Sequence, residues 1–203
     1  MIKVEHFETY GWDAMVRGVR NPFDSWSRSD SFYDGDGDYV LGENDLDLMR
    51  RLCKGGSDDR KFLRQISVSC DITAPLYWWK QADQYKVGTT TNSCSTMHRI
   101  SAKEFTLDDF SHEHLDDDSA LIVVIEALNK YREAYLEKKY KSDWWGMIQL
   151  LPSSYNQMRT WTGNYEVLRN MYHARKNHKL DEWHVLCYEI EKLPYAKELI
   201  IGE

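Results

Sequence analysis

Residues 66–81 read Ile-Ser-Val-Ser-Cys-Asp-Ile-Thr-Ala-Pro-Leu-Tyr-Trp-Trp-Lys-Gln, a pattern that predicts a strand followed directly by a helix. In its first half, apolar residues at 66, 68, 70 and 72 alternate with polar ones, which is the period of a half-buried strand. Ala74-Pro75 then predicts the end of the strand and the start of a helix, because proline fits the first helical turn. We therefore predict that residues 65–73 lie in a sheet and that a helix follows, running to about Lys86.

The predicted helix carries amide and phenol groups on one face. Tyr77, Gln81, Gln84 and Tyr85 are spaced so that they share this face. The helix leads into residues 87–96, a stretch that is rich in hydroxyl groups and free of charge. Such a loop offers hydroxyl and backbone donors without bulk, which suits an anion or a nucleobase edge. An ordinary surface loop of serine and threonine explains the same composition equally well.

The rest of the chain predicts further helices and one more extended stretch. Turn-forming residues dominate the first 40 positions, which are therefore predicted to be irregular, with a solvated surface turn at 34–38 rather than a calcium loop. Helices are predicted from Asn44 or Asp45 to the glycines at 55–56, from Asp118 or Ser119 to about 140, from Asn164 to about 178, and over 180–193. Residues 158–162 are predicted to be extended and turned by Gly163. Together these patterns predict an α/β (α+β) fold, a mixed sheet flanked by long helices.

Arg175 is the most informative charged residue of the last third of the chain. Leu168, Met171 and Tyr172 form an apolar helix face, and Arg175 falls on it seven residues after Leu168. An unpaired buried charge costs on the order of several kcal/mol, so this guanidinium is expected to meet an anion. Arginine is the best side chain for gripping a phosphate, but an internal carboxylate would serve as well. Both partners are compatible with the sequence.

Length, charge and cysteine content narrow the class of protein. The 203 residues suit a single domain, taken as 1–203, and the net charge of −7 argues against non-specific nucleic-acid binding. Cys53, Cys70, Cys94 and Cys187 form no CxxC pair, so neither a zinc site nor a disulfide framework is expected. No apolar run approaches the ~20 residues of a membrane span and no signal peptide is evident. We therefore expect a cytoplasmic protein with no membrane partner.

Histidine and aromatic residues leave two further questions. His112 and His114 lie beside the acidic run 116–118, but this polar segment is expected to be exposed, so no metal site is predicted. Aromatic residues make up 13% of the chain, with eight Trp and thirteen Tyr. We interpret most of them as core and oligomer-interface residues, with stacking against a planar ligand as the alternative for some.

The order of strand, Ala-Pro, amphipathic helix and hydroxyl-rich loop resembles the signature region of the flavin-dependent thymidylate synthases. Residues 72–81 look like the strand-to-helix segment of that family. The second half of the chain is similar to the family independently, because 151–152, 161–162, Asn164, Asn170 and Arg175 fall in its order at close to its spacing. The resemblance covers roughly residues 60–195 and implies a flavin-dependent thymidylate synthase-like fold.

The resemblance also implies a reaction and its ligands. The family methylates C5 of a pyrimidine deoxynucleotide, with FAD as cofactor and methylenetetrahydrofolate and NADPH as co-substrates. For this chain the resemblance implies conversion of dUMP to dTMP or methylation of a related nucleotide. It builds each site from several subunits of a homotetramer. Carried over to this chain, the nucleotide-binding residues are Gln81, Cys94, Ser95, Arg99 and Arg175. The flavin-binding residues are Gln84, Tyr85, Lys86, Asn92, Asn164 and Asn170. The expected partner is therefore a pyrimidine deoxynucleoside monophosphate.

The chain departs from the family in the flavin motif. Where the family has Arg-His-Arg, this chain has Gln84-Tyr85-Lys86, and the family's Asn-Glu-x-Ser becomes residues 92–95 after one extra residue. The arginine that closes the family's loop is replaced, although Arg99 lies nearby. Weaker flavin binding is expected, and a non-catalytic nucleotide- or flavin-binding protein is the alternative. A nucleophilic role for Cys94 is a further alternative, but no neighbouring residue in the sequence would lower its pKa.

Overall fold

A computed structural model describes residues 2–202 of the chain. Its strands are β1 (Lys3–Tyr10), β2 (Phe32–Tyr33), β3 (Tyr39–Val40), β4 (Ser67–Pro75), β5 (Thr90–Ser93) and β6 (Asn156–Asn164). Its α-helices are α1 (Trp12–Arg20), α2 (Glu43–Cys53), α3 (Leu76–Ala82), α4 (Thr96–Arg99), α5 (Ser119–Lys138), α6 (Lys141–Leu150), α7 (Tyr165–Arg175) and α8 (Asp181–Glu191). Helices and sheet together confirm the predicted mixed class.

The strands form two sheets, and the chain divides into two compact units. One sheet has the strand order β1-β4-β6-β5; in the other, β2 and β3 pair antiparallel, with Phe32 opposite Val40. The first unit comprises 71–84, 91–160 and the residues up to Lys3. The second comprises 4–70, 85–90 and the residues from Trp161 onwards. Within the described part of the chain, no helix is both long and apolar enough to cross a membrane.

The strand predicted at residues 65–73 is β4. Ile66, Val68, Cys70 and Ile72 are all buried, as their alternation indicated. The helix after it was predicted too long, because α3 ends at Ala82 instead of about Lys86. The amides of Asp83 and Gln84 still donate to carbonyls of the helix. Both Gln84 and Tyr85 nevertheless lie beyond its last residue, so they are not on the helix as predicted. Pro75 is the last residue of the strand and caps the helix rather than lying inside its first turn.

The core of the first unit gathers around α5 and α6. The predicted long helix is confirmed as α5, whose Leu121, Ile125 and Leu128 are buried. The buried cluster here consists of Ile100, Phe105, Phe110, Leu121, Ile125, Leu128 and Met147. Tyr131, three residues after Leu128, is 41% exposed. The first half of α5 is therefore buried more completely than the second half.

The first 40 residues are more regular than predicted. They contain β1 and α1, and α1 buries Trp12, Met15 and Val16, an i, i+3, i+4 pattern that the sequence displays. The prediction of a surface turn at 34–38 is confirmed: the Asp34 carboxylate accepts from the amides of Asp36 and Asp38 at 3.0 and 2.9 Å. Irregular structure is thus confined to the later part of this region.

The strand β6 is longer than the predicted stretch 158–162, and Gly163 does not turn the chain but lies inside it. A Cβ on Gly163 would come within 2.3 Å of the Trp161 ring, since residues i and i+2 of a strand share a face. The glycine therefore leaves room for a buried tryptophan. The two helices that follow are confirmed, with α7 ending at Arg175 and α8 burying Trp183, Leu186, Cys187 and Ile190.

Candidate functional site

An open depression of about 540 Å³ lies along the outer face of α3, in the first unit. Tyr77, Gln81 and Gln84 line it, together with Lys80, Leu76, Leu151 and Ser153. Three of the four residues predicted to share one polar face are therefore together, although Gln84 lies just beyond the end of the helix. The fourth, Tyr85, belongs to the second unit. The depression offers amide, phenol and ammonium groups to a ligand.

The segment 152–157 holds α3 in place. The first amides of a helix lack partners within it, and here those of Leu76 and Tyr77 donate to the carbonyls of Tyr155 and Ser153, both at 3.0 Å. On the buried side, the indole of Trp79 donates to the carbonyl of Gln157 at 2.8 Å. The position of the polar face is thus fixed by hydrogen bonds at the start of α3 and on its buried side.

The hydroxyl-rich stretch is only partly a loop, because residues 90–93 form β5, contrary to prediction. Its end is pinned at Cys94, whose amide donates to the Met158 carbonyl at 2.9 Å and whose carbonyl accepts from Gln157 Nε2 at 2.9 Å. Gln157 Oε1 in turn accepts from Arg159 Nε at 3.0 Å. The exposed thiol of Cys94 therefore stands on a fixed backbone.

Arg159 extends this chain of polar contacts, although it was not predicted to be a site residue. Its Nη1 donates to Asp83 at 2.8 Å, and its guanidinium lies 4.3 Å from the ring centroid of Trp79. Arg159 therefore connects the end of α3 to the strand that carries Gln157. Its contacts with Trp79 and Asp83, both distant in the sequence, distinguish it from an ordinary strand residue.

Ser95 and Arg99 have local roles in the structure. The Ser95 hydroxyl caps α4 by accepting from the amide of His98 at 3.3 Å, which is a common role of serine at the N-cap of a helix. Arg99, in the same short helix, is exposed. Neither residue lines the depression beside Gln81.

Arg175, in the second unit, lies in an aromatic cage. Its Nε donates to the Tyr85 hydroxyl at 2.9 Å. Its guanidinium lies 4.9 Å from the ring centroid of Trp183 and 5.5 Å from that of Tyr85. The side chain is half-buried rather than buried, and among residues 2–202 no carboxylate forms an ion pair with it. Of the two partners that the sequence allowed, an internal carboxylate is therefore not the one found.

The cage holds the guanidinium while leaving its charge uncompensated. Cation–π contact with Trp and Tyr orients an arginine, and a phenol is a neutral acceptor. The charge reaches His178, whose pKa is lowered by partial burial and by the neighbouring Arg175. An arginine fixed in this way can meet an incoming anion without rearranging.

The predicted flavin-binding residues divide into two groups. Gln84, Lys86, Asn92 and Asn170 have exposed side chains. Asn164 instead caps α7, its side-chain oxygen accepting from the amide of Val167 at 3.0 Å, and the hydroxyl of Tyr85 is bound to Arg175.

The capping amide of Asn164 also lies beside the start of the hydroxyl-rich stretch. Gly88 there has φ of 75°, a conformation that favours glycine. A Cβ on it would lie 3.2 Å from Asn164 Nδ2. The turn at Gly88 and the beginning of α7 therefore fit closely together.

The histidines at 112 and 114 do not form a metal centre with neighbouring ligands. His112 Nδ1 lies 3.1 Å from Asp118 Oδ1. In the part of the chain that the structure describes, no group of three or more His, Cys, Asp or Glu side chains could hold a metal ion.

Comparison with known proteins finds similarity in structure alone. No protein-family model matches the chain, and no curated protein sequence matches it. Two solved structures of thymidylate synthase X (ThyX) from Helicobacter pylori, both with FAD and dUMP, superpose with TM-scores of 0.75 and 0.69 at 16% and 17% identity, over 98% of this chain and 97% of theirs. A UMP/dUMP methylase, PolB from Streptomyces cacaoi, bound with 5-Br dUMP, superposes with a TM-score of 0.65 at 17% identity, over all of this chain and 94% of its own. The chain therefore has the fold of the flavin-dependent thymidylate synthases.

Proposed function

We propose that this protein binds a pyrimidine deoxynucleoside monophosphate and methylates its C5 with the help of a flavin and a folate. The ligands found with the structural neighbours, FAD with dUMP and 5-Br dUMP, support this choice of substrate and cofactor. The motif order of residues 72–95 supports it from the sequence.

One observation carries the proposal: the uncompensated guanidinium of Arg175. The fold provides a rigid aromatic setting for a cation and no carboxylate to neutralise it among the described residues. A phosphate monoester carries about −1.5 to −2 charges near pH 7 and offers three acceptor oxygens, so it matches such a group in charge and in shape. We assign Arg175 to the nucleotide phosphate.

Other residues would bind the base and the flavin. Gln81 presents an amide that can pair with a pyrimidine edge, and Cys94, Ser95 and Arg99 follow the hydroxyl-rich strand β5. Bound FAD would supply hydride, and methylenetetrahydrofolate the one-carbon unit, with NADPH as reductant. The chain itself would bind and orient these molecules and exclude water.

The exposed donors suit a flavin, but few of them are charged. Gln84, Asn92 and Asn170 can pair with the polar ring edge, and Lys86 is the only cation among the six assigned residues. A charge-assisted hydrogen bond contributes about 1.5–3 kcal/mol, and two cationic-or-histidine positions of the family are lost here. We therefore propose that FAD binds roughly tenfold or more weakly than in proteins with the intact motif.

A non-catalytic nucleotide-binding protein on the same scaffold is the second candidate. The observation that favours it is the engagement of Tyr85, which bonds to Arg175 from a position where the family has the histidine of its motif. In this alternative, Arg175 still binds a nucleotide phosphate, but no flavin is required.

Flavin absorbance of the purified protein, followed by calorimetric titration with FAD and then with dUMP, tests both candidates. The proposal expects saturable binding of both ligands and formation of dTMP when methylenetetrahydrofolate and NADPH are added. Binding of dUMP without heat from FAD would support the non-catalytic alternative. Absence of dUMP binding would contradict both.

We also propose a homotetramer, since apolar residues on the first unit's outer helices remain exposed. Ile122, Val123, Leu136 and Trp145 on α5 and α6 are 45%, 64%, 41% and 43% exposed. Large exposed apolar patches are typical of protein interfaces. Light scattering coupled to size-exclusion chromatography should give a mass of about four chains of 24.1 kDa. A monomeric mass would contradict this assignment.

A further inference from the structure

The second unit contains a cavity of about 330 Å³ that none of the residues assigned above lines. It lies among the end of α2, the glycine turn after it, α7 and the last turn of the chain. Small-molecule sites begin at about 300 Å³, so the cavity suits a compact ligand. We call it the α2–α7 pocket.

The wall of the α2–α7 pocket is strongly basic in a chain that is acidic overall. Arg50, Lys54, Arg60 and Arg169 line it against the single carboxylate of Glu198. Arg50 pairs with Glu198 at 3.3 Å, and Arg60 pairs with Glu166 at 3.2 Å.

Two cations of the wall remain without an acidic partner. No carboxylate of residues 2–202 forms an ion pair with Lys54 or Arg169. The pocket therefore has positive charge that the fold does not neutralise.

Arg169 is held in a way that leaves donors available. Its Nη1 donates to the carbonyls of Leu199 and Ile200 at 3.1 and 2.8 Å, and both hydrogen bonds that this side chain makes within residues 2–202 come from that atom. Gly202 has φ of 88°, and a Cβ there would lie 3.3 Å from both terminal nitrogens of Arg169. The glycine thus lets the backbone pass close to the guanidinium, which fixes its plane before any ligand arrives.

Local capping of α2 does not account for this arrangement. Cations in the last turn of a helix complement its dipole, and that would explain Arg50 and Lys54 without a ligand. Arg60 and Arg169 come from other parts of the chain and converge on the same cavity. Their combined field reaches His173, whose pKa is lowered by partial burial and by the charges of Arg169, Lys176 and Arg60.

We propose that the α2–α7 pocket binds a compact phosphate-bearing anion, with a diphosphate group as the best match. Arginine side chains bind phosphate oxygens in pairs, and the several negative charges of a diphosphate suit a wall with an excess of cations. The diphosphate can be free or can be the bridge of a larger molecule such as a dinucleotide. None of the residues that line the pocket is among those assigned above to the nucleotide or the flavin.

Calorimetric titration of the full chain with inorganic pyrophosphate tests the site. Wild-type protein should bind in a saturable manner, and Lys54→Gln and Arg169→Met should each raise the dissociation constant roughly tenfold or more, as expected for loss of one charge-assisted contact. Arg64→Gln is the matched control. Arg64 is exposed and does not line the pocket, so this substitution removes one positive charge close to the pocket without removing a contact in it.

Competition with FAD and dUMP distinguishes a free diphosphate ligand from the diphosphate bridge of a dinucleotide. Displacement of pyrophosphate by FAD assigns the pocket to the bridge of a bound dinucleotide, and unchanged binding in the presence of FAD or dUMP assigns it to a separate small ligand. No heat with pyrophosphate, or equal weakening by Lys54→Gln and Arg64→Gln, would overturn the proposal. Lys54 is exposed, so its variant keeps the test valid if Arg169→Met does not fold.

Discussion

Two arginines of the second unit have opposite surroundings. Arg20 is only 6% exposed, and its Nε donates to Asp45 at 2.7 Å. Asp45 is fully buried and also accepts from the hydroxyls of Ser29 and Ser31 at 2.6 and 2.7 Å. Arg175 is half-buried and bonds to one phenol between two aromatic rings.

The difference separates a structural charge from an available one. The Arg20–Asp45 pair neutralises its two charges inside the fold, so removal of one partner leaves a buried charge alone. The aromatic cage of Arg175 orients a cation without neutralising it, so that an anion from solution would gain the full interaction. Burial of an arginine therefore indicates little about function until its counterion is known.

The strongest test of this comparison is Asp45→Ala. The substitution leaves Arg20 and the two serine hydroxyls without their acceptor, and the free energy of unfolding should fall by about 3–5 kcal/mol. Urea unfolding followed by circular dichroism measures it. Asp47→Ala on the same helix is the control, because the Asp47–Arg51 pair is exposed and should contribute less than about 1 kcal/mol. Equal effects of the two substitutions would remove the distinction.

Arg175→Ala, unlike Asp45→Ala, should weaken nucleotide binding more than it lowers the free energy of unfolding. We expect dUMP affinity to fall by roughly 2–4 kcal/mol, while the free energy of unfolding changes by less than about 2 kcal/mol. Arg175→Lys should restore only part of the affinity, because lysine lacks the planar fork. Lys176→Ala, the adjacent exposed cation, serves as the control in the same titrations. A destabilisation as large as that of Asp45→Ala with unchanged dUMP affinity would make Arg175 structural.

Tyr85→Phe probes the cage itself and should have a smaller effect. The ring still packs against the guanidinium, and only the hydrogen bond from Nε is lost, which should cost about 0.5–1.5 kcal/mol of unfolding free energy. Tyr188→Phe, an exposed tyrosine on α8, is the matched control. A loss well above this range would show that the phenol, not the rings, holds Arg175.

Acid offers the mildest test, because it adds a proton without changing a residue. Burial alone would raise the pKa of Asp45, but hydrogen bonds from Ser29 and Ser31 and the charge of Arg20 outweigh it and lower the pKa. A carboxyl group whose pKa is lower in the folded state stabilises the fold above its unfolded pKa of about 3.9, and the contribution is lost as pH falls through the folded value. Unfolding free energies measured between about pH 6 and pH 3 should therefore fall more steeply for wild type than for Asp45→Asn.

Much of this fold follows from local pattern. The strand at β4 and the helix at α7 were predicted because alternation of period two and an apolar stripe are properties of neighbouring residues. The early end of α3 and the strand β5 were not predicted, since distant partners decide them. Tyr85, beyond the end of α3, accepts a hydrogen bond from Arg175, 90 residues later. The strand β5 pairs with β6, which is also distant in the sequence.

For the candidate site, individual residues could be predicted from the sequence, but the contacts between them could not. The position of Arg175 on an apolar stripe indicated a special charge, but nothing local identified a phenol as its neighbour. Arg169 shows the opposite case, because an arginine on α7 looks like an ordinary surface cation until the chain folds. Its role depends on carbonyls at the end of the chain, 30 and 31 residues away.

The cysteines of this chain differ in ways that a chemist can use. Cys53, Cys70 and Cys187 are buried, and burial raises the thiol pKa of Cys53 and Cys187 to about 11. Cys94 alone is exposed among the four, on a backbone held from both sides by hydrogen bonds. A maleimide dye would therefore attach at one place in the unmodified protein, at the end of the hydroxyl-rich strand, and would report on any molecule that enters there.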